Sequence, residues 1–316
     1  MINRDTGHAN QPVDKIDVNE VEKKAEFKQQ FKQDLLNEAF KHGDAAYKAM
    51  FLEKAPVSVI ETDKNGKPIF DEVNGVRQYR YRWLTDEEKK QMEKDAAEGK
   101  VQVFTNGIFN KEQAAANNAV QYVGENRGPI YFVHSQQADT GIGELLTAAY
   151  EKVLDNRLIG LTNASAQIEE LALLYGRNGL HLYGHSRGSM IINNAMGALH
   201  DDGAADDVLA KTGVNFFEPA ANTQKTAQRL NELSGGKQDT VILENHEYDF
   251  VGRLIGGNPA TTHKIPDGSS ALNEIIKMLL GKNSSVHGCS GPVVSAKCDK
   301  DYGNYNPVLV GPNGVK

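Results

Sequence analysis

The sequence predicts an α/β protein: a mostly parallel sheet with flanking helices, plus an N-terminal helical and small β-meander extension. Three observations lead there. From Val101 onward, short apolar runs alternate with stretches of helical periodicity. Most of those runs are apolar throughout, as strands covered on both faces are. One of them, Leu180-His181-Leu182-Tyr183, leads through Gly184-His185-Ser186-Arg187-Gly188 into the helix-like run Ser189-Met196.

Taken in order, residues 1–19 are rich in Asp, Asn, Gln and Gly and read as a flexible lead-in. Residues 20–54 place Val21, Ala25, Phe27, Phe31, Leu35, Leu36, Ala39 and Phe40 near helical spacing, which predicts one or two amphipathic helices. Val57-Ile60, Pro68-Phe70 and Val76-Trp83, punctuated by Asn65-Gly66 and Asn74-Gly75, predict a small antiparallel meander. In its last run Arg77, Arg80 and Arg82 alternate with Tyr79, Tyr81 and Trp83, read as a solvated face opposite a packed aromatic one. The catalytic unit is placed at 100–316. Its expected strands are Val101-Phe104, Ile130-Val133, Leu180-Tyr183, Val214-Phe217 and Thr240-Leu243. Helices are expected near Lys111-Val123, Ile142-Leu158, Ala164-Tyr175, Ser189-His200, Thr223-Leu233 and Ser270-Leu280.

Bulk properties narrow the function classes. The net charge of -7, without a long Lys/Arg run, argues against broad electrostatic binding to nucleic acid. No run of about eighteen apolar residues exists to span a bilayer. Met1 to Asn19 lacks the apolar segment of a signal peptide, so an export address is expected outside this chain. Cys289 and Cys298 lie close together in a Gly/Pro/Ser-containing segment, which fits either a loop-fixing disulfide or two separate thiols in a reducing compartment. No second close pair of Cys or His completes a zinc site, so neither metal nor cofactor is expected.

The elbow makes Ser186 the candidate nucleophile, since a serine at a tight strand-to-helix turn is lifted above the sheet. An acid and then a histidine should follow in the chain. Asp249, beyond the strand Thr240-Leu243, is the favoured acid, with Glu244 and Glu247 as alternatives. His287, in the loop after the last long helix and beside Cys289, is the favoured base over His246 and His263. His185 is assigned to packing. Oxyanion donors are expected from the backbone N–H of Arg187 and, after the first core strand, of Ile108, with His134-Ser135-Gln136 as the competing loop.

Ser186 in its Gly-x-Ser-x-Gly turn, Asp249 in an Asp-Phe-Val setting and the late His287 resemble the α/β-hydrolase arrangement. Lipases with Asp-Pro-Val are similar there, although Phe250 replaces the proline. Asn106-Gly107-Ile108-Phe109-Asn110, Gly143-Glu144-Leu145-Leu146, Leu161-Thr162-Asn163-Ala164 and the elbow with Ser189-Met190 resemble the C-terminal hydrolase-like region of filamentous-haemagglutinin or CdiA-type exoproteins. That resemblance spans roughly residues 80 to 290. It implies an α/β-hydrolase fold and a lipase or phospholipase acting as an antibacterial toxin domain. It also implies delivery as part of a secreted exoprotein in contact-dependent growth inhibition, with neutralisation by a cognate immunity protein. The substrate would be a lipid or phospholipid, met at a membrane surface. The boundary motif Val-Glu-Asn-Asn of such toxins is missing here.

Overall fold

The computed structural model describes residues 55–106, 111–135, 162–279, 284–303 and 305–316. The lead-in, the helices expected over 20–54 and the helix expected near 142–158 lie outside the described residues.

Among the described residues eleven strands and seven α-helices follow one another. They are β1 Val57–Ile60, β2 Phe70–Val73, β3 Val76–Tyr79, β4 Tyr81–Trp83, α1 Asp86–Ala97, β5 Val101–Thr105, α2 Glu112–Val123, β6 Ile130–Val133, α3 Asn163–Tyr175 and β7 Leu180–His185. Then come α4 Arg187–Asp201, β8 Thr212–Phe217, α5 Thr223–Leu233, β9 Val241–Glu244, a π-helical turn Val251–Ile255, α6 Ala271–Leu279, α7 Ala296–Tyr302, β10 Val308–Gly311 and β11 Gly314–Val315.

The fold is α/β, built on a nine-stranded mixed sheet in the order β11-β10-β9-β8-β7-β5-β6-β1-β4. Its centre is parallel, with β6, β5, β7, β8 and β9 running together. Those are the five strands the apolar runs predict. The flanks are antiparallel: β1 pairs with β6 and β4 with β1, while β10 pairs with β9 and β11 with β10. The sheet is therefore less parallel overall than expected, because two of the meander strands and a C-terminal hairpin complete its edges. Only β2 and β3 stand apart as a hairpin. Its turn is the Asn74-Gly75 pair, with φ of 53° and 74°, as a tight hairpin of that sequence requires. The aromatic face of the last meander run divides: Tyr79 is buried and Tyr81 packs edge-on against Phe132, but Trp83 is 65% exposed.

Alternate residues of the central strands feed two apolar layers. Val101, Val103, Leu182, Val214, Phe216, Val241 and Leu243 pack with Met92 and Ala96 of α1 and with residues of α3, α4 and α5. Phe104, Phe132, Tyr183 and Phe217 face α2 through Ala115, Ala119 and Val123. Burial on both faces explains why these strands lack polar alternation. Beyond α2, a third cluster of Met278, Val286, Cys289, Cys298, Tyr302 and Tyr305 anchors the C-terminal segments. From β5 the chain passes to β6 on one side, while β7 lies on the other. In open α/β sheets the carboxyl ends of the strands at such a reversal are where sites are placed.

Candidate active site

Ser186 stands where β7 meets α4, with φ 54° and ψ -124°, a conformation costing of order 1–3 kcal/mol for a residue with a side chain. The surroundings enforce it. The Ser186 N–H donates to the Phe217 carbonyl at 3.1 Å, and the Ser186 carbonyl accepts from Ser189 N, Ala220 N and Ser189 Oγ. Both glycines of the turn are needed for close approach. A Cβ on Gly188 would lie 2.2 Å from the Thr105 carbonyl oxygen, and one on Gly184 would lie 2.8 Å from Ser189 Cα. Helix α4, buried from Arg187 to Leu199, then passes under the sheet as a central helix. The Arg187 peptide opens that helix, where the first N–H groups have no partner within the helix.

Asp249 follows β9 after a short irregular segment. Its N–H donates to the His246 carbonyl at 3.1 Å, and its Oδ1 accepts from Val251 N at 2.9 Å, so the carboxyl group caps the π-helical turn. Asp249 is fully buried. His287 Nδ1 lies 3.1 Å from Asp249 Oδ1 and 3.0 Å from Oδ2. A carboxylate accepts and does not donate, so this contact places the imidazole proton on Nδ1 and leaves Nε2 to take another. The His287 side chain is 19% exposed, against a completely buried Asp249.

His185 links the elbow to this pair. Its Nε2 lies 2.7 Å from the His287 carbonyl oxygen and so donates to it, and its ring stacks between Tyr122 and His287 with centroids 4.7 Å from each. Burial and then the neighbouring His287 push its pKa down to about 3, so it is a neutral donor. The residue read as packing therefore packs against the candidate base itself. The signal available was its place directly before Ser186, at the end of the strand that leads into the elbow.

The rival groups are engaged elsewhere. His246 is buried, with Nδ1 accepting from Tyr248 N at 3.1 Å and Nε2 donating to the Lys264 carbonyl at 2.8 Å. His263 and Glu247 pair at 2.8 Å on the surface. Glu244 accepts from Gly291 N at 2.9 Å. Ile108 lies outside the described residues, as does Gln136 of the competing loop. The roots of both loops are joined, since Asn106 Oδ1 accepts from Ser135 N at 2.8 Å. Cys289 and Cys298 form a disulfide with Cα atoms 5.2 Å apart, two residues beyond His287. Among the described residues no group of three or more His, Cys, Asp or Glu side chains is placed to hold a metal ion. No described helix is long and apolar enough to cross a membrane.

Chemically, the arrangement offers a strained serine at a strand-to-helix turn, a buried carboxyl group orienting an imidazole, and a helix N-terminus beside them. No family model, curated protein or solved structure matches the chain.

Proposed function

We propose that this chain is an α/β-hydrolase-like serine hydrolase that cleaves acyl esters. The observation that carries the reading is the Asp249–His287 pair, held at 3.0 Å and fastened through His185 to the strained Ser186 elbow. In this reading Ser186 Oγ attacks the ester carbonyl while His287 Nε2 takes its proton. Asp249 keeps the imidazole in the required tautomer and stabilises the imidazolium. The Arg187 N–H faces the oxyanion. His287 then gives its proton to the departing alcohol, and a water activated by the same imidazole releases the acid. No step calls for a cofactor.

A lipid or phospholipid is the proposed substrate. Apart from the resemblance to lipases and exoprotein toxins, the support is a set of exposed apolar side chains that follow Asp249 in the chain. Phe250, Leu254 and Ile255 are exposed on and beside the π-helical turn, with Leu272 and Ile276 exposed on α6. The disulfide fits an oxidising compartment, in keeping with delivery as a secreted antibacterial toxin countered by an immunity protein.

Labelling with a fluorescent fluorophosphonate tests the reading. The unaltered protein should label; Ser186→Ala should abolish labelling, and Asp249→Asn and His287→Ala should each slow it by about 10³–10⁴-fold. A folded protein that never labels would sink the hydrolase reading in favour of a binding module retaining a hydrolase shell. With labelling established, a panel of phospholipid, thioester and peptide substrates separates a lipase from a thioesterase or peptidase.

A further inference from the structure

Two carboxyl groups that this chemistry leaves unused stand at the ends of the strands beside Ser186. Glu218 follows β8, Glu244 closes β9, and the Glu218 N–H donates to the Glu244 carbonyl at 2.9 Å. Glu218 is completely buried and sits at φ 40°, a left-handed region that residues with side chains rarely adopt. Its Oε2 accepts from Ser290 Oγ at 2.5 Å, while its Oε1 is buried with no partner. Glu244 Oε2 accepts from Gly291 N at 2.9 Å. The two side chains thus grip consecutive residues of the turn that begins at His287. From the other side Gln121 of α2 donates to the Gly288 and Ser290 carbonyls, both at 3.0 Å.

We propose that Glu218 and Glu244 are positioning residues, a pair of strand-end carboxyl groups that fasten the 287–291 turn to the sheet and keep the His287 ring aligned between Asp249 and Ser186. The disulfide does not do this by itself. Cys298 belongs to α7, which is no part of the sheet, so that bond closes the loop without fixing its distance from the strands. Stability does not explain the carboxyl groups either. Neither has a Lys or Arg partner among the described residues. The nearest ring, His185, is neutral, lies 3.7 Å from Glu218 and is already engaged with His287. Burial, and then the nearby Asp249, hold Glu218 well above the usual carboxylate range. A buried acid among acids, on strained backbone, costs stability that a purely structural site has no reason to spend.

The proposal rests on the serine-hydrolase reading, so its test has an arm independent of activity. The full chain carrying Glu218→Ala, Glu244→Ala, Ser290→Ala, Glu218→Gln or Glu244→Gln is compared with the unaltered protein. One readout is hydrogen–deuterium exchange of peptides spanning 284–303; the other is the rate of Ser186 labelling by a fluorophosphonate. The alanine variants should exchange about tenfold faster in the turn and label about tenfold slower. The glutamine variants keep an acceptor and should restore both to within about threefold. Ser290→Ala removes the Glu218 contact without touching the strained residue, and decides the matter if Glu218→Ala does not fold. Unchanged exchange in the turn across all the alanine variants would overturn the proposal. So would equally slow labelling of alanine and glutamine variants with normal exchange, because the loss would then not come from release of the turn. An unlabelled wild type would fell the hydrolase reading, and the exchange arm would still show whether the carboxyl groups hold the turn.

Discussion

The meander edge of the sheet and the carboxyl ends of its central strands handle charge in opposite ways. On the β1–β4 side, Arg80 and Asp71 pair at 2.6 Å, Arg77 and Glu125 at 3.5 Å, and Arg82 meets Glu88, all at the surface. At the carboxyl ends of β8 and β9, Glu218, Glu244 and Asp249 gather below the His287 turn, and among the described residues none has a Lys or Arg partner. Solvated pairs cost little and contribute little, whereas buried acids without cations persist only where the surrounding structure dictates them. The difference locates the region where this sequence has given up stability for geometry.

The largest effect should come from breaking the over-determined side. Gly188→Ala forces a Cβ against the Thr105 backbone, and the elbow must open. A loss above about 3 kcal/mol in urea unfolding, with labelling abolished, is expected. A variant as stable as the parent would mean that the turn is not held as tightly as its packing indicates. Next, Cys289→Ser with Cys298→Ser should cost about 2.5 kcal/mol on the loop-closure estimate, measured by the same unfolding. The fluorophosphonate rate should fall as well, because the released segment carries His287.

A comparable effect separates the two regions by pH. Burial pushes the Glu244 pKa up to about 7 from 4.5, an ordinary glutamate value. Above pH 4.5 the unfolded chain releases this proton before the folded one does. Stability from this group is therefore full below about pH 4.5, declines as the pH rises to about 7, and is flat beyond. The decline should be on the order of 3 kcal/mol, and Glu244→Gln should remove it from a series of melting curves across that window. Equal slopes for parent and variant would show that Glu244 is solvated. The smallest effect belongs to the meander edge: Arg80→Ala should leave the melting temperature unchanged within error, as an exposed pair predicts. A clear drop there would erase the contrast.

What the sequence made legible follows the same divide. The five central strands were readable because burial on both faces makes them apolar throughout, and the elbow because its glycines are dictated by backbone approach. The Asp249–His287 contact was legible from order and location, as an acid beyond the strand Val241–Glu244 followed by a histidine in a later loop beside Cys289. Helix α1 was readable in principle from Thr85 and Glu88, whose reciprocal cap the structure contains, but its polar composition hid the periodicity. The C-terminal hairpin escaped because β10 and β11 are short and half exposed. The roles of His185, Glu218 and Glu244 were not legible. Each depends on which residue of a distant turn comes to lie against a strand end, and spacing along the chain does not encode that.

The pairing of β1 with β6 bears on how the molecule can be divided. Residue 100 looks like a natural cut, since the alternating strands and helices begin there. Yet β6 has β5 on one side and β1 on the other, with Val57 opposite Val133 and Val59 opposite Tyr131. A fragment starting at residue 100 would present the unpaired backbone of β6, an apolar strand with no charge to deter a neighbour, as a template for a second molecule. Such a fragment should self-associate through that edge, and adding back the segment that supplies β1 and β4 should restore a monodisperse protein.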